Sequence, residues 1–399
     1  MNIPVKNCSS CGACANVCGR NAISMQLDVE GFYRPEIDLE KCVHCGACER
    51  ICPWNNEVLN PNKSSNNPQT LAAFAKDESI RLQSSSGGIF SILAERILEH
   101  GGVVIGVAQI TPTYFGHIVV ENKEDLKKLR GSKYVQADAK FIYKEVRSLL
   151  KSGRKILFSG TPCQVAALYA VLGNAATSVN LFTVDIVCHG TPSVKVFEKY
   201  IKELEKEESA IVETSRFRDK RMGWNGYMLQ HGFKSGKSVS EHHSQSKYMR
   251  LFLSRICQNF SCDDCHYRKL PRIADITLGD YWGVSKYHPE MDDDKGTSVV
   301  LLNTEHGVDL FNSISDKINQ CESKVEYAIA KNPCIVRSST PHLKRSKFFA
   351  NLDKYTLDQL IKIYCPFPSP LKRAYTRARA LLGRIWRKSR GVYCNELNR

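Results

Sequence analysis

The sequence predicts an α/β protein (α+β overall) in three parts joined by a linker. A small cysteine-rich domain occupies residues 1–57, a mixed, mainly parallel α/β body occupies 70–340, and a basic helical tail occupies 341–399, with residues 58–69 as the linker. Three observations support this division: an N-terminal cysteine repeat, alternating strand and helix patterns in the middle, and a concentration of Lys and Arg at the end.

The composition indicates an intracellular redox or metal protein. The chain has 399 residues and 17 cysteines, with no apolar signal segment near Met1 and no apolar run long enough to span a membrane. Disulfides are rare in the cytoplasm, so we expect these thiols to serve metal or redox chemistry, and their odd number excludes complete pairing. We therefore expect a cytoplasmic protein.

The N-terminal domain contains two copies of one cysteine pattern. The segments CSSCGACANVC (8–18) and CVHCGACERICP (42–53) both read C-x2-C-x2-C-x3-C. Three such thiolates can wrap one face of a cubane, and the fourth ligates the other cluster in two-cluster ferredoxins. Zinc is the rival, but zinc sites typically use paired C-x2-C knuckles. We assign Cys8, Cys11, Cys14 and Cys52 to one 4Fe–4S cluster, and Cys42, Cys45, Cys48 and Cys18 to a second.

The body has further cysteines at strand ends and in one short segment. Cys163 follows the strand pattern KILFS, and Cys188 ends the strand pattern LFTVDIVC. If these strands are parallel, both cysteines lie at the same edge of the sheet. The segment RICQNFSCDDC supplies Cys257, Cys262 and Cys265, so a further four-cysteine site is a hypothesis.

Other interpretations of these turns remain open on the residues alone. Cys163 at a helix start could be a nucleophile with His189 as its base, although His189 could equally be an ordinary turn histidine. The SSSGG turn (84–88) before a helix suits an anion such as phosphate, or is a plain helix cap. The segment LRGSKYVQAD (129–138) places a Lys and a Tyr in a turn between two helical patterns, or is a plain surface loop. The segment FRDKRMGWNGY (217–227) lines a substrate site or forms a β-hairpin with a solvated charged turn.

Six motifs of the body resemble one known family when taken together. In order they are SSSGGIF, GSKYVQ, SGTPCQ, DIVCHG, SCDDCHY and ADITLGDYWG. They resemble the coenzyme F420 hydrogenase/dehydrogenase beta subunits, a family that includes the plant 7-hydroxymethyl chlorophyll a reductase. The resemblance covers roughly residues 70–340, and the N-terminal repeat is similar to a ferredoxin module that some members carry.

The resemblance implies a flavoprotein with a third 4Fe–4S cluster beside its flavin. It assigns the cluster ligands to Cys163, Cys188, Cys262 and Cys265, with Cys257 left as an alternative. The implied FAD contacts are Ser86, Gly87, Gly88, Ser132, Lys133 and Tyr134. Lys133 would stabilise the anion that develops on a reduced flavin, and His189 is the second catalytic candidate.

The function that the resemblance implies is two-electron chemistry fed by single electrons. A ferredoxin-like or other redox protein reduces the N-terminal clusters, electrons pass to the third cluster and FAD, and the flavin exchanges a hydride with a small organic molecule. The expected substrate is a deazaflavin such as coenzyme F420 or a metabolite linked to exopolysaccharide biosynthesis. The alternative is a non-enzymatic electron-transfer or scaffold subunit of a larger complex.

The C-terminal tail carries most of the net charge of +15. From Pro341 onward there are 14 Lys and Arg against 3 Asp and Glu. A helical face would collect Leu371, Tyr375, Ala378, Leu382 and Ile385 among the cations, which favours peripheral contact with the inner face of a membrane. We do not expect nucleic acid as a partner, and a solvated helical face is the alternative.

Overall fold

The computed structural model describes residues 7–338, 340–369 and 371. Within that part the strands are β1 (Ile23–Leu27), β2 (Tyr33–Ile37), β3 (Gln69–Ala75), β4 (Val103–Gln109), β5 (Phe115–Val120), β6 (Ile156–Gly160), β7 (Leu181–Ile186), β8 (Val212–Asp219), β9 (Met228–Phe233), β10 (Ser238–His242), β11 (Ile276–Asp280), β12 (Ser298–Leu302) and β13 (Ile318–Ser323).

The described helices alternate with these strands through much of the body. They are α1 (Ala13–Val17), α2 (Ala47–Arg50), α3 (Glu78–Gln83), α4 (Ile89–Glu99), α5 (Lys123–Leu126), α6 (Ile142–Lys151), α7 (Pro162–Leu172), α8 (Val194–Glu208), α9 (Lys247–Ser254), α10 (Val284–Tyr287), α11 (Glu305–Asn312), α12 (Val325–Lys331), α13 (Arg345–Ala350) and α14 (Leu357–Tyr364). Short 3-10 helices cover Gly173–Thr177, Phe260–Cys262, Pro289–Met291, Ser315–Lys317 and Pro333–Ile335.

One eight-stranded mixed sheet organises the body. Its strand order is β13-β3-β12-β11-β7-β6-β4-β5. The four strands β4, β6, β7 and β11 pair in parallel, whereas the pairings at both flanks are antiparallel. The prediction of a mixed α/β body is confirmed, and its parallel part is the centre of the sheet. The carboxyl ends of β6 and β7 therefore lie at one edge.

Alternating apolar residues place helices on both faces of this sheet. Val104 of β4 packs in the same core as α4, whereas its neighbours Val103 and Ile105 pack with α6 and α7. All three side chains are fully buried, and each contributes about 1.5–3 kcal/mol to folding. Because helices pack on both faces of the sheet, the loops that follow the parallel strands are held at the edge of the sheet.

The N-terminal domain docks directly on the body. The Tyr143 hydroxyl of α6 donates to the Cys11 carbonyl (2.8 Å), and Asn16 Nδ2 of α1 donates to the Lys140 carbonyl (2.7 Å). In the segment predicted as a linker, Asn62 Nδ2 donates to a carboxylate oxygen of the body at 3.1 Å. The linker is therefore held against the body along part of its length.

A second core joins the three-stranded antiparallel sheet, in the order β10-β9-β8, to the C-terminal helices. It contains Phe217 of β8, Phe197 of α8, Phe252 of α9, Phe348 of α13 and Leu360 of α14. The predicted amphipathic face from Tyr375 to Ile385 lies outside the described residues. Among the described helices, none is both long and apolar enough to cross a membrane.

Candidate functional site

The two cysteine repeats have the same backbone. Gly12 and Gly46 precede α1 and α2 with φ angles of 76° and 69°. Two residues earlier in each copy, Ser10 and His44 also have positive φ angles, 60° and 52°. Both loops thus turn in the same left-handed way, which suits two equivalent ligand loops.

The first predicted ligand group comes together across the repeats. Burial raises the pKa of the Cys11 thiol to about 12, and the neighbouring Cys8 and Cys52 thiols add to that rise. Burial also raises the pKa of Cys14, which the Cys11, Cys8 and Cys52 thiols reinforce. Cys52 from the second copy therefore lies with the three thiols of the first copy, as the crossed ligand pattern requires.

The second ligand group is closer to the surface. Cys48 is buried and packs near Cys18, whereas Cys45 is exposed. Burial raises the pKa of Cys48, and the nearby Glu49 and Cys45 contribute. Of the two N-terminal groups, this one is the more accessible from solvent.

The four cysteines predicted in the body line one small cavity. Its volume is about 40 Å³, and its walls include Cys163, Cys188, Cys262 and Cys265. Burial raises the pKa of Cys262 to about 12, with further contributions from Cys188 and Cys265. Strand ends β6 and β7 and the segment after α9 thus form one thiol site, as expected.

Ligand spacing argues against a single zinc ion at any of these cysteine groups. Tetrahedral zinc with Zn–S bonds of about 2.3 Å needs sulfurs about 3.8 Å apart. Among the described residues, three candidate ligand atoms come within 4.8 Å of one another only at His288, Glu290 and Cys321. The described cysteine groups therefore do not meet the spacing that a single tetrahedral zinc ion requires.

Donors already point at several of these sulfurs. The Gly190 amide donates to Cys188 Sγ and the Thr191 amide donates to Cys262 Sγ, both at 3.4 Å. The Thr161 hydroxyl lies 3.1 Å from Cys163 Sγ. Such hydrogen bonds favour the thiolate form and tune the potential of an iron–sulfur cluster, so the residues present fit that group.

Parts of the N-terminal domain close this four-cysteine site. Ser9, Pro53 and Trp54 line its cavity. The indole of Trp54 stacks on the ring of His266, with centroids 4.0 Å apart, and the Tyr267 hydroxyl donates to the Pro53 carbonyl. The first N-terminal cysteine group and the four-cysteine site are therefore direct neighbours.

A larger cavity adjoins the four-cysteine site. Its volume is about 280 Å³, and both Cys163 and Cys188 line it as well. The residues predicted to contact flavin that also line it are Ser86, Gly88, Ser132, Lys133 and Tyr134. The remaining candidate, Gly87, packs against β3, where an added Cβ would lie 2.3 Å from the Ala73 carbonyl oxygen.

The two predicted flavin turns are tied to each other and to the sheet. The Ser132 amide donates to Ser85 Oγ at 2.7 Å. Ser86 Oγ donates to the Thr297 carbonyl and the Gly87 amide donates to Ser298 Oγ at the start of β12. The shape of this cavity wall is therefore set by backbone and hydroxyl hydrogen bonds.

The ammonium of Lys133 is fully engaged by the preceding turn. It donates to the carbonyls of Lys128 (3.1 Å), Leu129 (2.8 Å) and Arg130 (2.9 Å). Burial lowers the pKa of Lys133 to about 7, whereas the three carbonyls favour the charged form. A catalytic role for this residue stays a prediction.

His189 has a partner that the sequence does not suggest. It lines the larger cavity, and its Nδ1 lies 3.5 Å from Cys334 Sγ. Burial, the largest single effect, raises the pKa of the Cys334 thiol. The hydrogen bond with His189 and the electrostatic interactions with His189, Arg268 and Arg255 together outweigh burial and bring that pKa to about 7. His189 is therefore placed as a partner of Cys334, a cysteine that no spacing pattern in the sequence connects with the others.

Cys257 lies apart from the four-cysteine cavity. It is fully buried in the second core, where burial and the nearby Cys365 thiol raise its pKa to about 12. The structure gives it a packing position, so the alternative ligand role receives no support.

Several polar residues of the larger cavity are absent from the sequence prediction. The buried Gln136 accepts the Tyr33 amide with Oε1, while its Nε2 has no partner among the described residues. Asp280 pairs with Arg218 at 2.8 Å and accepts the Trp224 indole N–H at 3.0 Å. Both residues lie within quoted motifs, but no spacing rule separates them from neighbouring wall residues.

Two cations at the end of β8 and the start of the following turn are buried, in the segment for which a solvated hairpin is one of two interpretations. Arg218 is 3% exposed and Lys220 is 5% exposed. The Lys220 ammonium donates to the carbonyls of Arg81, Ser86 and Lys295 at 2.6–2.7 Å. The solvated-hairpin alternative therefore does not hold at these two residues, because backbone carbonyls and Asp280 replace water around their charges. Arg221 and Asn225 of the same turn are exposed, and the substrate-site alternative stays a prediction.

Comparison with curated proteins gives no match. Among solved structures, the chain is similar to a chain in the F420-reducing [NiFe] hydrogenase complex from Methanosarcina barkeri. The identity is 19%, the TM-score is 0.47, and the match covers 69% of this chain and 93% of that chain.

Family models give the assignment. The N-terminal model of the coenzyme F420 hydrogenase/dehydrogenase beta subunit matches residues 70–140, and its C-terminal model matches 153–326. A 4Fe–4S dicluster model matches residues 7–56. The two beta-subunit models together cover more than half of the chain, which therefore belongs to the family of coenzyme F420 hydrogenase/dehydrogenase beta subunits and carries an iron–sulfur domain at its N-terminus.

Proposed function

We propose that this chain is an iron–sulfur flavoprotein oxidoreductase that couples single-electron transfer through three 4Fe–4S clusters to hydride chemistry in the larger cavity. One observation carries the proposal: Cys163 and Cys188 line both the four-cysteine site and the larger cavity. Two shared thiols leave no intervening layer of protein between the two sites.

The cysteines of the chain would hold the three clusters in order from the surface toward the interior. Exposed Cys45 belongs to the group nearest solvent, and the first group lies between it and the body. The proximity of Cys11 to Cys163 contributes to the raised pKa of Cys163, whose main cause is burial. This arrangement supports electron input from a redox protein at the Cys45 side.

Two features of the larger cavity suit a flavin: a buried hydrogen-bond donor without a protein partner, and a glycine turn at its wall. Gln136 Nε2 offers a buried donor, and Gly88 at φ 87° lets the chain turn into α4 beside the cavity. The residues proposed to hold the isoalloxazine ring and the pyrophosphate of FAD are Ser86, Gly88, Ser132, Tyr134 and Gln136. When bound, clusters supply single electrons and a flavin supplies two-electron hydride chemistry.

The chain's own residues would position and shield that chemistry. Tyr134 stacks on Phe252 with ring centroids 4.6 Å apart, so the phenol is held as a rigid wall. Arg218 Nη1 donates to the Tyr134 hydroxyl at 3.3 Å, which links the wall to Asp280. The substrate, whether a deazaflavin of the F420 type or a metabolite of exopolysaccharide synthesis, stays a prediction from resemblance.

The test is anaerobic purification of the full chain followed by iron and flavin quantification. About 12 iron atoms and one FAD per chain would support the proposal, with four iron atoms per cluster. About eight iron atoms without flavin would refute the third cluster and the flavin together. A full cofactor load without turnover of any soluble acceptor would favour the electron-transfer subunit instead.

A further inference from the structure

Three ligand-type side chains meet on the sheet flank away from both cavities. The ligand atoms of His288, Glu290 and Cys321 all lie within 4.8 Å of one another. His288 follows α10, Glu290 lies in the next 3-10 turn, and Cys321 is on β13, so two separate parts of the chain supply the group. None of the three lines either cavity described above.

The distances indicate which histidine nitrogen faces the group. His288 Nδ1 is 3.8 Å from Glu290 Oε1, whereas its Nε2 is 2.8 Å from Ser323 Oγ. If Nε2 carries the proton and donates to Ser323, the Nδ1 lone pair is directed toward the carboxylate and the thiol. A metal-bound histidine usually has this kind of outer partner on its second nitrogen.

Ser323 is itself held in place by a second contact. Its hydroxyl shares a short hydrogen bond with the Tyr281 hydroxyl, and the Tyr281 side chain is fully buried. Because Ser323 is two residues after Cys321 on β13, both side chains point to the same face of the strand. The ring of His288 is therefore fixed from the strand that also presents the thiol.

We propose that His288, Glu290 and Cys321 form a binding site for a zinc-class divalent cation. One nitrogen, one thiolate and one carboxylate are the donor types zinc accepts, whereas calcium and magnesium prefer oxygen alone. The Glu290 side chain is 62% exposed and His288 is 13% exposed, which leaves a fourth position open to water. Bound metal would tie the segment after α10 to the edge strand β13.

Several nearby groups affect the strength of this site. Burial raises the pKa of Cys321, with Glu290 adding to the rise, so a cation must displace the thiol proton. Lys286 and Lys324 lie around the neighbouring Tyr287 and Tyr327 rings. Their positive charge opposes a cation, and the two anionic ligands offset it.

Zinc protection of Cys321 from alkylation tests the proposal on the full, cluster-loaded chain. Iodoacetamide labelling under anaerobic conditions is followed at this cysteine by peptide mass spectrometry, with and without Zn²⁺. At a zinc concentration about ten times the dissociation constant, labelling should slow about 10-fold, because only the metal-free fraction reacts. Equal labelling rates with and without zinc in the wild-type chain would overturn the site.

Matched variants separate ligation from incidental binding. H288Q should abolish the protection, and S323A should weaken zinc affinity about 10-fold by removing the outer partner. H306Q, at a histidine stacked on Phe182 elsewhere, should protect as the wild type does. Protection that persists unchanged in H288Q would rule out this ligand set. Iron content is measured in the same samples, and its constancy shows that zinc has not replaced the clusters.

Discussion

Cys163 and Cys188, at the ends of neighbouring parallel strands, each line both the four-cysteine site and the larger cavity. The β6–β7 register explains this, because Gly160 pairs with Asp185 and places both following turns at the same edge. A group bound by these thiols would therefore touch the wall of the larger cavity.

Replacing Cys163 should remove one cluster. C163S is expected to lose about four iron atoms per chain, while the N-terminal pair keeps its iron because its ligands are unchanged. Iron determination and absorbance spectra measure the loss. C257S is the matched control, since Cys257 is buried in the second core and should retain the full iron content. Unchanged iron in C163S would return its thiol to a nucleophilic or packing role.

The unpaired Gln136 amide should contribute to flavin affinity. Q136E keeps an oxygen to accept the Tyr33 amide but replaces the Nε2 donor with an acidic oxygen. Loss of one donated hydrogen bond should raise the FAD dissociation constant about 10-fold. Fluorescence titration of the flavin-depleted protein measures it. Q83E makes the same charge change at an exposed position, and an equal effect there would show that the charge acts non-specifically.

The buried Arg218–Asp280 pair should be costly to break from one side. D280N leaves the guanidinium, 3% exposed, without its counter-charge and should destabilise the protein by about 3–5 kcal/mol. Chemical unfolding of the cluster-loaded protein measures this loss, and R218M combined with D280N should recover part of it. E99Q, at a more exposed ion pair, should cost less than about 1 kcal/mol. A similar cost for both single variants would contradict the buried-charge explanation.

His231 should make the protein less stable in mild acid. Burial lowers the pKa of this histidine to about 4, below its ordinary value of 6.5. Because the unfolded state binds this proton more readily, the contribution of His231 to stability is full above pH 6.5 and is lost as the pH falls toward 4. The loss of unfolding free energy reaches about 2 kcal/mol at pH 5. The free energy of unfolding is measured at pH 7 and pH 5 for the wild type and H231Q, and its decrease between the two pH values should be smaller in H231Q. The exposed-site variant H100Q should lose as much as the wild type. An equal decrease in H231Q and the wild type would exclude His231 as the cause.

The basic tail should bind anionic membranes. Deletion of residues 372–399 removes nine Lys and Arg and one Glu, and it spares Pro366, whose carbonyl accepts a hydrogen bond from Arg250. Co-sedimentation with vesicles containing anionic lipid should fall to the level seen with neutral vesicles. Binding that survives the deletion would contradict a role for the tail.

Local patterns in the sequence identify most elements and most of the cysteines that the structure brings together. The repeat spacing predicts the crossed grouping of Cys52 with the first copy, and strand-end positions predict the meeting of Cys163 with Cys188. Both depend on short-range regularities, namely ligand spacing and the shared edge of parallel strands.

Contacts made by long-range folding are beyond such patterns. The pairing of His189 with Cys334 joins residues 145 positions apart, and no spacing rule connects them. The burial of Lys220 depends on three carbonyls from separate loops, so its sequence resembles an exposed turn. Propensity also cannot reveal that β3 lies between β12 and β13.

That last placement has a consequence for synthesis of the chain. Strand β3 is made early, yet both of its partners, β12 and β13, belong to the last third of the body. Until they emerge from the ribosome, the apolar strand Gln69–Ala75 keeps two unpaired edges, which are sites for mispairing and aggregation. The body therefore completes its sheet only after β13 has been made, and a nascent chain that stalls earlier leaves this strand exposed.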